Sequence, residues 1–122
     1  MIRNFVFFIQ KYWLVYTMVI FIAITLLSLW PFEDLPAAPG NDKIHHIVSY
    51  AALAFPVALG KPRLWLLIVV FFIAYSGLIE LIQPLVNRYG EWLDMMANTI
   101  GLACGIFLAE MVRKWMGDKG KE

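Results

Sequence analysis

Four apolar stretches, at residues 13–30, 44–60, 64–82 and 93–115, take up most of this chain. They contain 18, 17, 19 and 23 residues. Helices rise about 1.5 Å per residue, so these would reach about 25 to 35 Å against a bilayer hydrocarbon core of about 30 Å. The connections between them are short, which makes successive helices antiparallel. The expected fold is all-α, a polytopic membrane protein built as a four-helix transmembrane bundle, with residues 1–122 as one domain. Composition points the same way. The chain is 61% hydrophobic and 16% charged over 122 residues, where soluble domains run at about 45–50% and about 25%. So small a water-soluble domain has too little interior to hide that many apolar side chains.

A formal net charge of +1 offers no basic field for nucleic acid, and none is expected as a partner. The single cysteine, Cys104, excludes an intrachain disulfide and a cysteine-based zinc cluster, and core packing is the expected role for it. The second stretch is the most polar, with His45, His46, Ser49 and Tyr50, and Pro56 is expected to kink it. Between the first two stretches, residues 31–42 hold three prolines and a glycine and are expected to form the longest loop. Arg3 and Lys11 precede the first stretch like the basic region of a signal peptide. Its 18 residues exceed the usual signal-peptide core and Ala37-Ala38 is a poor cleavage site, so a retained anchor is expected.

Orientation follows from the cations. Arg3 and Lys11, Lys61 and Arg63, and Arg113, Lys114, Lys119 and Lys121 fall at the N-terminus, the second connection and the C-terminus. By the positive-inside rule both termini are expected in the cytoplasm, with the first and third loops outside. All five tryptophans, Trp13, Trp30, Trp65, Trp92 and Trp115, sit at or beside expected helix ends, as in an interfacial aromatic belt.

Polar residues within spans are expensive, so their positions carry information. Lys43, His46 and Tyr50 share one helix face at spacings of three and four. Ser76, Glu80 and Gln83 share a second face, and Asp94 and Asn98 a third, with Arg88 in the loop between. In the expected topology all of them fall in the outer half. The Asp94 stripe continues inward as Gly101 and Gly105, a G-x-x-x-G expected to serve close packing inside the bundle. The positive end of its helix macrodipole favours an anion at Asp94, whereas Glu80 sits at the negative end of its own. Glu80 is therefore expected either to carry a proton or to be held as an anion by Lys43, Arg88 or a protonated His46. His45, about 100° round the helix from His46, is expected to face away. Asp42 is expected to cap its helix, and Glu110 to pair with Lys114 one turn on.

Asp42-Lys43-x-x-His46-x-x-x-Tyr50-x-x-Leu53, Glu80-x-x-Gln83, Arg88 and Asp94-x-x-x-Asn98-x-x-Gly101-x-x-x-Gly105 together resemble the VanZ-like family of bacterial membrane proteins. The resemblance implies an integral inner-membrane protein, related to one associated with low-level resistance to the glycopeptide teicoplanin. It does not imply a settled molecular activity.

The pocket candidates are thus Lys43, His46, Tyr50, Glu80, Gln83, Arg88, Asp94 and Asn98. They suit an anionic headgroup of a lipid or cell-envelope precursor, the arginine fork being matched to phosphate or carboxylate. A non-catalytic lock on the bundle, or a partner subunit, is the alternative, and a proton or solute transport element is another. Against transport, strongly polar residues do not continue into the inner half. No cofactor or metal is expected, because one histidine and two acids on separate helices lack ligand spacing. No G-x-S-x-G, H-E-x-x-H or phosphate loop is present, so the motifs lean away from an enzyme.

Overall fold

The computed structural model describes residues 2–29, 42–86 and 92–120, and within them the protein is all-helical. Five α-helices occur: α1 (Ile2–Lys11), α2 (Trp13–Leu29), α3 (Asp42–Gly60), α4 (Trp65–Ile82) and α5 (Trp92–Gly120). A 3-10 turn, Gln83–Val86, extends α4. The loop expected at 31–42 falls almost wholly outside the described residues, as do Trp30 and Arg88.

The ten residues before Trp13, read from the sequence only as a basic flank, form a helix of their own. Val6, Ile9, Arg3 and Gln10 lie toward one side of α1, while Phe5, Phe7 and Phe8 are exposed. A bend of 76° at Tyr12 separates α1 from α2. Trp13 fixes this elbow against the end of α3, because a Cβ placed on Gly60 would stand 2.8 Å from its indole. Two donors then hold α1 and α5 to the same spot: Gln10 Nε2 and Arg113 reach the Leu59 carbonyl at 3.1 and 2.9 Å. Leu59 lies in the last turn of α3, where helix carbonyls lack partners of their own.

α3 is the central helix. It packs mainly on α5 and also on α2, α1 and α4. Leu53, Ala54, Val57, Ala58 and Leu59 are wholly buried, and helix continues on both sides of Pro56. Ile47 meets Gly101 and Ala51 meets Gly105, so the two helices run parallel with a constant offset. Antiparallel neighbours make α3 and α5 parallel to one another, and the most extensive contact is between these two helices, separated in sequence by α4. The missing side chains of Gly101 and Gly105 permit it, in line with the packing expected of the G-x-x-x-G. α2 and α4 meet through aromatic rings, with Phe21 and Tyr75 centroids 4.4 Å apart.

Residues 65–85 and 93–116 are each long and apolar enough to cross a membrane, and α1 with α2 make a third if the bent pair is one span. Many large apolar side chains, from Leu14 and Val19 on α2 to Leu67, Phe71 and Phe107 on α4 and α5, are exposed. A contiguous apolar perimeter of that extent marks contact with a membrane or another protein. α3 is too polar to pass as a span on composition. Its position is consistent with that: the half from Leu53 to Leu59 is largely buried against other helices, while Ile44, Val48 and Ala52 are exposed.

Candidate functional site

Because α3 and α5 run parallel, their first turns lie side by side, and the last turns of the antiparallel α4 come up to them. A Cβ on Gly77 would stand 3.3 Å from the Met95 methyl, which places the end of α4 against the start of α5. Three faces that are far apart in sequence are thereby brought to one end of the molecule.

Lys43 Nζ forms an ion pair and hydrogen bond with Asp94 Oδ1. Asp94 is buried, while Lys43 is one-third exposed. On the next turn His46 Nδ1 lies 2.8 Å from Asn98 Oδ1, and since an amide oxygen only accepts, the ring nitrogen donates. His46 Nε2 lies 3.6 Å from the other Asp94 oxygen. The result is a ladder across the helix seam, with Asp94 bridging Lys43 and His46 and Asn98 orienting the imidazole. His45, as expected, is exposed.

Tyr50, one turn below His46, is 2% exposed. Glu80 and Ser76 are buried on α4, and Ser76 bonds back to the Ile73 carbonyl. Gln83 is 1% exposed, and its Nε2 donates to the Ser28 carbonyl at 3.1 Å, tying the 3-10 turn to the end of α2. Tyr75 and the Thr25 hydroxyl hydrogen-bond between α4 and α2. Thr25 and Tyr75 were not among the sequence candidates. A tyrosine one residue from Ser76 and a threonine four residues before the end of α2 were the only signal for them.

Three polar atoms in this region are buried without a hydrogen-bond partner: Tyr50 Oη, Asn98 Nδ2 and Gln83 Oε1. Buried polar atoms are nearly always satisfied, so each marks a place where a water or ligand group belongs. Two are donors or can donate, and they lie on the two helices that carry Lys43, His46 and Asp94.

Of the eight candidates, seven are described, and all seven lie on α3, the end of α4, the 3-10 turn or the start of α5. Arg88 lies outside the described residues, as does the side chain of Asp42. Two expectations away from the site need correction. Glu110 on α5 pairs at 3.1 Å with Lys61 in the α3–α4 connection, a partner that spacing along one helix does not reveal. Cys104 is exposed rather than packed in the core. Among the described residues no group of three His, Cys, Asp or Glu side chains is placed to hold a metal ion.

An all-helical chain with membrane-length helices and a polar ladder buried at one end defines the class to which this protein belongs. The chain is a member of the VanZ/LLP1 family, whose model matches residues 1–113. No curated protein and no solved structure matches it.

Proposed function

We propose that this protein is a multi-pass inner-membrane protein whose polar ladder binds an anionic headgroup of a lipid or cell-envelope precursor. In this reading α2, α3, α4 and α5 each cross the bilayer, both termini are cytoplasmic, and the ladder lies near the outer surface. The carrying observation is the pair of buried, unpartnered donors, Asn98 Nδ2 and Tyr50 Oη, beside the Lys43 and His46 side chains. Hydrogen bonds to charged acceptors are worth about 1.5–3 kcal/mol, more than neutral ones, so an anionic oxygen satisfies such donors best. The proposed role extends to glycopeptide tolerance, because sequestering or altering a surface precursor headgroup changes what such a drug meets.

Mass spectrometry of lipid that copurifies with the wild-type protein and with Lys43→Gln and Tyr50→Phe variants tests this. Headgroup-selective retention by wild type, reduced in both variants, is the expected result. Equal lipid profiles in all three would remove the proposal.

A second reading, that the ladder only locks α3 to α5, is favoured by the closed Lys43–Asp94 pair. It predicts that every ladder variant loses function in proportion to lost stability. A stable, abundant variant without function excludes it.

A further inference from the structure

A second feature lies on the opposite flank of α3 from Tyr50. There a groove of about 370 Å³ is floored by Ala51, Ala52 and Pro56 and walled by Tyr16 and Ile20 of α2 and Leu108 of α5. Phe5 and Ile9 of α1 also line it, which they reach because the chain turns through 76° at the elbow. Its lining is almost entirely carbon. The two alanines leave the room that larger side chains would fill.

We propose that this groove holds one hydrocarbon chain of an anionic phospholipid from the leaflet at the α1 end. A hydrocarbon chain suits the narrow groove better than a helix does, since a helix with its side chains is about 10–12 Å across. Small-molecule sites measure about 300–1,000 Å³, and this groove falls at the lower end of that range. Charge selects the lipid class. Arg3, Lys11, Lys61, Arg63, Arg113 and Lys114 gather at the α1 end. Of the acids there, Glu110 is paired with Lys61, and the side chain of Asp118 lies outside the described residues. Lys11, Arg63 and Lys114 are exposed, and Lys11 sits at the elbow, between the groove residues Ile9 and Tyr16. Juxtamembrane cations of this kind attract anionic headgroups.

The groove and the polar ladder use different faces of α3, so this inference does not depend on the proposed headgroup function. The test places the full chain in nanodiscs carrying phosphatidylglycerol or phosphatidylcholine with a photoactivatable acyl chain and maps the cross-links by mass spectrometry. Phosphatidylglycerol is expected to label residues 51–56 and 16–20 several-fold more than phosphatidylcholine does. Ala52→Phe, at an exposed position, is expected to lower that labelling several-fold while labelling at Leu66 and Phe71 of α4 stays unchanged. Lys11→Gln is expected to narrow the gap between the two lipids, and Lys43→Gln to leave groove labelling as it is. Labelling spread evenly over the perimeter, insensitivity to Ala52→Phe, or equal labelling by both lipids would overturn the proposal. So would a dimer in which a second copy shields the groove from the probe.

Discussion

Gly101 lies so close to Ile47 that a methyl group on its Cα would stand 2.4 Å from the Ile47 carbonyl oxygen. Gly105 stands in the same relation to Ala51. In both cases the obstacle is backbone, which cannot swing aside.

Gly101→Ala and Gly105→Ala are therefore expected to destabilise the protein by about 1–3 kcal/mol each, the usual range for forced overpacking. This loss exceeds the helix-propensity gain of up to about 1 kcal/mol that alanine brings. Gly77→Ala is the control, since its neighbour is the flexible end of Met95 at 3.3 Å. It is expected to be neutral or slightly stabilising. Thermal unfolding in detergent compares the three, and equal behaviour would contradict the parallel contact between α3 and α5.

The Lys43–Asp94 pair yields a coupling measurement. Lys43→Gln leaves the Asp94 carboxylate buried beside His46, so a loss of about 1–3 kcal/mol is expected. Combining it with Asp94→Asn should recover part of that loss, with a coupling energy between about 0.5 and 3 kcal/mol in a double-mutant cycle. Strict additivity would show that the pair is not formed.

Tyr50→Phe separates stability from function. The hydroxyl it removes has no hydrogen-bond partner, so folding stability is expected to hold or to rise by up to about 1 kcal/mol. Copurified lipid should nevertheless fall. A marked loss of stability would mean that the hydroxyl already has a partner within the fold.

The elbow can be loosened from two sides. Gln10 and Arg113 donate to the same Leu59 carbonyl, so either one alone still satisfies it. Gln10→Ala and Arg113→Ala are each expected to cost about 0.5–1.5 kcal/mol, and the double variant more than their sum, because only then is the carbonyl left unsatisfied. Limited proteolysis near Tyr12 is the readout, with the double variant cut fastest.

Helical periodicity alone was enough to read the polar faces of α3, α4 and α5 and the role of Gly101 and Gly105, since a shared face depends only on spacing. Long-range partners were not readable. Lys61 finds Glu110 because α3 ends beside the lower part of α5, a fact fixed by the parallel register. The exposure of Cys104 follows from the same register, which turns Gly101, Leu102 and Gly105 inward. α1 was missed because residues 2–11 are too short and too polar to span. Yet Phe5, Val6, Phe8 and Ile9, interleaved with Arg3, Asn4, Gln10 and Lys11, carry the mark of an amphipathic helix.

The central position of α3 also bears on how the protein is made. Its main partner, α5, leaves the ribosome after α4, so α3 must wait through the synthesis of α4 before its polar flank is covered. During that interval a helix too polar to pass as a span on composition is the one most in need of an insertase, and a chain truncated after α4 would leave it without shelter.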